Sequence, residues 1–156
     1  MESALPSGLT YVEVSAGGYF SLARRSDGSV VAWGYNDTDL QTAVPPLPSG
    51  LTYTKIAAGQ FHSLALRSDG TLVGWGRNQY GQSSAVPALP SGVTYVDGAA
   101  GNLHSVALRS DGIVVAWGNS TQNRTNIPAL ASGVKYNAIA TWGDFSLARR
   151  TDGSLT

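Results

Sequence analysis

The sequence contains no cysteine, and its ten basic residues are balanced by ten acidic ones. The missing cysteine excludes disulfide bridges and thiolate metal ligands. Balanced charge argues against nucleic-acid binding, because that affinity comes mainly from cations that neutralise phosphates. No stretch approaches the roughly 20 apolar residues of a membrane-spanning helix. We therefore expect no nucleic-acid partner, no membrane, no metal and no cofactor.

Targeting signals are also missing from the sequence. Residues Met1 to Ala4 lack the charged and apolar regions that open a signal peptide. Together with the absence of cysteine, this fits a reducing compartment. The sequence leaves the location open and predicts the cytoplasm if the chain is expressed as it stands.

The sequence does contain a repeat. Trp-Gly dipeptides begin at Trp33, Trp75 and Trp117, 42 residues apart each time. A period of 40 to 45 residues is typical of the blades of a β-propeller. We predict an all-β propeller with about four blades of about 42 residues, forming one repeat domain over residues 1–156. The predicted blade repeats are roughly 5–46, 47–88, 89–129 and 130–156, and the last blade is incomplete.

Each repeat predicts short β-strands and no helix. In the second repeat these are Tyr53–Ile56, Ser63–Leu66 and Leu72–Trp75, and an Asp-Gly hairpin signal joins the last two. Strand alternation predicts Tyr53 and Lys55 on one face of the first strand and Ile56 on the other. A fourth, outer strand is predicted near residues 42–44 and 84–86.

Several motifs at fixed spacing carry a family resemblance, and the second repeat shows them best. They are Ala58-Gly59, His62-Ser63-Leu64-Ala65-Leu66, Asp69-Gly70, Trp75-Gly76, Asn78 and Gly81-Gln82. These residues resemble the repeats of the regulator of chromosome condensation family. The Val-Pro pairs at residues 44–45 and 86–87 look like those of bacterial members, and are similar to propeller-type inhibitors of β-lactamase. The resemblance implies a propeller that has seven blades in most members, of which this chain supplies fewer than four.

Three features depart from the family pattern. Phe20 and Phe145 replace the repeat histidine, and Trp142 stands where the other copies have Gly17, Gly59 and Gly101. The third copy has also lost the Gly-Gln of its loop. The family's nucleotide-exchange activity depends on features outside the repeat, and no inserted wedge is present to carry it. We therefore predict that the chain is not an enzyme and has no catalytic residues.

Repeated polar residues have structural interpretations. His62 and His104 occupy equivalent places, where a histidine most often bonds a neighbouring backbone, and two histidines without a Glu or Cys make a poor metal site. The repeated aspartates of the Asp-Gly turns bond their own backbone. The repeated tryptophans pack in the core or between blades, or form an exposed ring that stacks on a ligand.

The variable loops between the first and second strands are the better binding candidates. The candidate residues of this loop face are Tyr19, Phe20, Phe61, His62, Leu103, His104, Trp142 and Phe145. Their bulky side chains either form one continuous sticky face or pack under neighbouring blades, and the sequence leaves both open. In the inhibitors that the chain resembles, aromatic residues in such loops contact the partner protein.

Three functions follow as hypotheses. The first is a non-enzymatic protein-binding propeller that uses the loop face. The second is a truncated or engineered propeller fragment whose activity is self-assembly into a closed ring. The third is a carbohydrate-binding propeller with tryptophan and tyrosine side chains as sugar platforms.

Self-assembly has its own sequence signal. A propeller avoids exposed edges by closing, so four blades predict a homodimer that closes an eight-bladed ring. Arg24 and Arg149 stand in the first and last copies where the middle copies have Leu66 and Leu108. Capping repeats exchange apolar for polar residues. The predicted oligomer interface therefore contains Arg24, Arg149 and Leu155. The alternative is that the two arginines lie on the blade rim and have no role in assembly.

Overall fold

A computed structural model of the chain describes residues 5–156, and within that range the fold is all-β. The strands of blade 1 are β1 (Tyr11–Ala16), β2 (Phe20–Arg25) and β3 (Val30–Gly34); of blade 2, β4 (Tyr53–Ala58), β5 (His62–Arg67) and β6 (Leu72–Gly76); of blade 3, β7 (Tyr95–Ala100), β8 (His104–Arg109) and β9 (Val114–Gly118); and of blade 4, β10 (Tyr136–Trp142) and β11 (Phe145–Arg150). One 3-10 turn, Thr121–Asn123, follows blade 3. The predicted fold class is confirmed.

Each blade is an antiparallel meander in chain order. Blade 4 has two full strands, and Leu155 forms a single bridge with Arg149 where a third strand begins. No helix within residues 5–156 is long and apolar enough to cross a membrane.

The Asp-Gly turns join the second and third strands as predicted. Asp27 Oδ1 accepts hydrogen bonds from the Ser29 amide at 2.9 Å and its hydroxyl at 2.7 Å. These bonds lower the pKa of Asp27. Gly28 has a φ of +80°, which favours glycine at this place in the turn. The structural role of the repeated aspartates is confirmed.

The predicted alternation along the first strand of each blade is wrong. A β-bulge interrupts the register, in blade 2 between Tyr53 and Lys55. A bulge adds one residue to one strand, so side chains three positions apart reach the same side. Tyr53 and Ile56 therefore lie in one buried cluster.

The predicted outer strands are also wrong. Residues 42–44 and 84–86 form turns and extended segments that carry no strand pairing. Proline follows both segments and cannot donate to a strand ladder. Val44 and Val86 instead pack against the buried clusters between blades.

The core lies between neighbouring blades. Side chains on the forward face of a blade, the side towards the next blade, meet the rear face of that next blade. Between blades 1 and 2 the forward residues Phe20 and Leu22 pack with Ile56, Ala65 and Trp75. Equivalent clusters join blades 2 and 3 and blades 3 and 4. Burial of a blade face therefore depends on a neighbouring blade.

Polar contacts fix each blade to the next at both ends of its first strand. At the propeller axis Gln60 N donates to Gly101 O at 3.1 Å. At the other end Tyr53 N donates to Gly28 O at 2.9 Å. The indole of Trp75 donates to Gln41 O at 3.0 Å. Adjacent blades are thus held in one orientation.

Candidate functional site: the loop face and the blade faces

The two histidines bridge adjacent blades. His62 Nε2 lies 2.8 Å from Ser105 Oγ, and His104 Nε2 lies 2.7 Å from Ser146 Oγ. The Ser105 hydroxyl donates to Gln82 O at 2.8 Å, so His62 must donate its Nε2 proton to the serine. A structural role is therefore confirmed, but the partner is a serine side chain of the next blade and not the backbone.

Phe20 takes the histidine position in blade 1 and is buried against blade 2. A phenyl ring neither donates nor accepts an ordinary hydrogen bond. The facing serine, Ser63, is fully buried, and its hydroxyl has no hydrogen-bond partner among residues 5–156. The first junction thus replaces a polar bridge with apolar packing.

We expect these histidines to make stability depend on pH. Burial, and next the nearby His104, lower the pKa of His62 from 6.5 to about 3. Burial, followed by Arg124, also lowers the pKa of His104. Between pH 6.5 and 3 the unfolded chain therefore binds more protons than the folded one, and stability falls as the pH falls. Within this range each pH unit costs up to about 1.4 kcal/mol at His62, and His104 contributes in the same direction.

Urea unfolding at pH 7 and pH 5 measures this effect. The matched variant carries His62→Phe and His104→Phe, the side chain that blade 1 already has at this position. We expect its stability to change less between the two pH values than that of the natural chain. Equal pH dependence of both proteins would contradict the assignment.

An aromatic cluster that includes two exposed tyrosines lies on the loop face of blades 1 and 2. The ring of Tyr19 is 6.2 Å from that of Tyr35 and 5.9 Å from that of Phe61, centroid to centroid. The Arg77 guanidinium lies 5.0 Å from the Phe61 centroid, and its Nε is 3.8 Å from Asp39 Oδ2. We call these five residues the aromatic cluster.

The structure divides the predicted loop face. Tyr19 and Phe61 belong to the aromatic cluster, and Leu103 is half-buried on blade 3. Trp142 and Phe145 are exposed on blade 4.

Phe20, His62 and His104 were predicted to contribute to binding, and the structure corrects this. All three side chains are buried. Each stands at the first residue of its strand, and the neighbouring blade covers it. A partner at the loop face does not meet them.

Sequence reasoning missed Tyr35, Asp39 and Arg77. Tyr35 and Arg77 each follow a Trp-Gly dipeptide, where the third copy has Asn119. The residue at this position differs from copy to copy. Such variation could have marked it as a binding candidate, as it marked the loops between the first and second strands.

Small residues at the strand corners line a cavity of about 400 Å³ at the axis, with Trp142 beside them. A side chain at most of these corners would collide with the next blade. A Cβ on Gly59 would lie 2.3 Å from Gly101 O. Trp142 occupies the matching position in blade 4 and is 83% exposed.

The predicted oligomer residues all lie on forward blade faces, but only that of blade 1 is covered by another blade. Arg149 and Leu155 lie on the forward face of blade 4 and are exposed. Arg24 lies on the forward face of blade 1, at an internal junction, where its Nε donates to Glu13 Oε2 at 2.8 Å. Glu13 Oε1 accepts from Ile56 N of blade 2 at 3.1 Å. The interpretation of Arg24 as a cap of an open face is therefore wrong.

The repeated tryptophans do not form a ring of sugar platforms. Trp75 and Trp117 are buried, and their indoles donate to Gln41 O and Gln82 O of the preceding blade. Trp33 is half-buried. Packing between blades is the role of the two buried rings. Within residues 5–156 no group of three or more His, Asp or Glu residues is placed to hold a metal ion.

These features define the chain as a segment of a β-propeller, in which meander blades pack face to face around an axis. The profile described as "Regulator of chromosome condensation (RCC1) repeat" matches residues 11–38, 53–82 and 95–124. The chain belongs to this repeat family. No curated protein matches it.

Solved structures agree with the family. Yeast RCC1 (Prp20), solved with Kap60, is 25% identical, with a TM-score of 0.78 over 97% of this chain and 44% of that chain. Prp20p from Saccharomyces cerevisiae, described with its binding properties to Gsp1p and histones, is 24% identical, with a TM-score of 0.77 over 95% and 43%. Human WBSCR16 is 21% identical, with a TM-score of 0.72 over 93% and 46%. The chain thus spans less than half the length of these structures.

Proposed function

We propose that the chain is a non-enzymatic protein-binding propeller module and that the aromatic cluster is its contact surface. The observation that carries the proposal is the packing of the exposed Tyr19 and Tyr35 with the half-buried Phe61, beside Arg77. Tyrosine and arginine are enriched among the residues that dominate binding energy in protein interfaces. Exposed apolar patches rimmed by polar groups mark interaction sites.

The side chains of the cluster contact one another without a partner. Tyr19 is 62% exposed, yet its ring is in contact with two others. Arg77 is held between the Phe61 ring and the Asp39 carboxylate. Side chains that are fixed in advance lose less entropy on binding, which favours affinity.

The loop beside the cluster contains a bulky residue in an unusual conformation. Leu40, next to Asp39, has a φ of +55° and an exposed side chain. Non-glycine residues in the left-handed region are uncommon and cluster at functional sites. This supports a role for the 36–42 loop in the same surface.

One similar protein, yeast RCC1 (Prp20), has protein partners in the descriptions of two of its structures. It is bound to Kap60 in one, and the other describes its binding properties to Gsp1p and histones. This supports protein binding as the class of function for this chain. The predictions that it binds no nucleic acid and resides in the cytoplasm stay predictions.

Capture from a bacterial lysate, with quantitative mass spectrometry, tests the loop face. The test variant carries Tyr19→Ser and Phe61→Ser, and the control carries Tyr80→Ser at another exposed tyrosine. We expect the test variant to lose a specific partner at least about tenfold, as removal of an interface anchor does, while the control retains it. Equal capture by all three proteins would refute the assignment. If the natural chain binds a glycan array and only the Tyr19→Ser and Phe61→Ser variant loses that binding, the ligand of the cluster would be a sugar and not a protein.

A second candidate function is self-assembly into a closed ring of two chains. The specific observation is that apolar side chains on the outer blade faces are exposed, although their counterparts in the inner blades are buried. Edges of this kind are removed in propellers by closure.

A further inference from the structure

We propose that the forward face of blade 4 binds the rear face of blade 1 in a second copy of this chain. Strand β11 then takes the place that β2 has at the junction between blades 1 and 2. The inference rests on the self-assembly proposed above and names its surfaces. It is independent of the aromatic cluster.

The two forward strands have the same sequence. Both β2 and β11 read Phe-Ser-Leu-Ala-Arg-Arg. In β2, Phe20 and Leu22 are 4% and 0% exposed, because they pack on the rear face of blade 2. In β11, Phe145 and Leu147 are 76% and 49% exposed. The same six residues therefore form a finished junction in blade 1 and an uncovered one in blade 4.

The rear face of blade 1 offers the complementary surface. Val14 stands at the position of Ile56, which packs against β2 residues. Val14 is 75% exposed and Ile56 is 8% exposed. Trp33 is half-buried, whereas Trp75 at the same repeat position is buried. A valine in place of isoleucine preserves an aliphatic contact for Leu147.

Blade 4 differs from blade 1 in the charged residues of this face. In blade 1 Arg24 is paired with Glu13, but in blade 4 Ala138 holds the Glu13 register position and Arg149 bonds Asn137. Residues at this register position in neighbouring blades come close together, as the 3.1 Å pair of Lys55 and Asp97 shows. The next residue in that row would be Glu13 of the second copy. The Glu13 carboxylate of that copy is already bonded to its own Arg24 and Ile56 N, so the proposed junction rests on its apolar contacts.

Trp142 limits the fit at the axis. At the internal junctions this corner is glycine, and a Cβ on Gly17 would lie 2.6 Å from Gly59 O of the next blade. The Cβ of Trp142 would lie equally close to the backbone of the second copy, so the two blades must stand further apart at the axis than they do at the internal junctions. The closest contact of the proposed junction lies along Leu147 and Leu155, away from the axis.

Analytical ultracentrifugation of the full chain over a range of concentrations tests the proposal. We expect the natural chain to form dimers of its 16.2 kDa chains. Val14→Glu and Leu147→Glu should each weaken association at least about a hundredfold, because each buries a carboxylate against apolar groups. Val12→Glu is the matched control, since its position is exposed in the flanked blades as well.

Mixing decides the direction of assembly. Each single variant keeps one intact face, so a mixture of Val14→Glu and Leu147→Glu chains should recover one-to-one dimers through a single junction.

Trp142→Gly, which restores the glycine corner, should tighten association about tenfold. A monomeric natural chain, a mixture that stays monomeric, or weakening by Trp142→Gly would each overturn the proposal.

The failure of this inference can be told apart from failure of either proposed function. If dimers persist in both glutamate variants, the chain would still self-assemble, but the two proposed surfaces would not form the interface. The single Phe61→Ser variant should assemble normally, because Phe61 lies between blades 1 and 2 and not at the proposed junction. Loss of dimers in that variant would overturn the separation of the two sites.

Discussion

Replacing Leu64 by alanine is expected to lower the free energy of unfolding by about 2–5 kcal/mol, the usual cost for a buried leucine. Leu64 is fully buried between blades 2 and 3. The loss includes the transfer free energy of the removed methyl groups and the cavity that they leave. Urea unfolding monitored by tryptophan fluorescence measures the change.

Leu147 provides the matched control, because it holds the same repeat position in blade 4 and is half-exposed. At concentrations where the chain is monomeric, Leu147→Ala should cost less than about 1 kcal/mol. Equal losses for the two variants would show that blade 4 is covered in the monomer. The comparison therefore measures what a neighbouring blade contributes to an identical position.

The second large effect is expected at the axial corner. Gly59→Ala should destabilise the fold by about 3 kcal/mol, the upper range for an overpacked site. The new methyl group would lie 2.3 Å from Gly101 O, and the backbone of blade 3 cannot yield without losing the Gln60–Gly101 bond. Thermal unfolding reports the loss as a lower Tm.

Gly98→Ala is the control for this substitution. Its Cβ would lie 3.1 Å from Leu72 Cδ2, the end of a flexible side chain, and its φ is not left-handed. We expect a change within about 1 kcal/mol. If Gly98→Ala destabilises the fold as much as Gly59→Ala does, the short distance between residue 59 and the next blade would not explain the loss at Gly59.

Local signals explain why so much of the fold was predictable. The turn at Asp27-Gly28 requires a positive φ and a side-chain acceptor, and both requirements are written in two adjacent residues. The Trp-Gly period fixed the number of blades because each blade repeats the same packing. The bulge beside Tyr53 was not predictable, since one extra residue leaves no mark in the alternation pattern.

The candidate site was only partly predictable, because exposure depends on the neighbour. Phe20 and Phe145 occupy identical strands, yet one is buried and the other exposed. The contact of Tyr35 and Arg77 with the loop residues joins parts of two blades. Sequence spacing alone does not bring such positions together.

The sequence by itself determined the family, the blade repeat and the hairpin turns, because these depend on interactions within a few residues. The tertiary structure decided which faces are covered, since a blade face is buried only where another blade lies against it. Arg24 shows the difference: its residue type suggested an open edge, but its place at an internal junction pairs it with Glu13. Arg24 lies at an internal junction because its strand faces the next blade along the chain. The residue type alone does not indicate this.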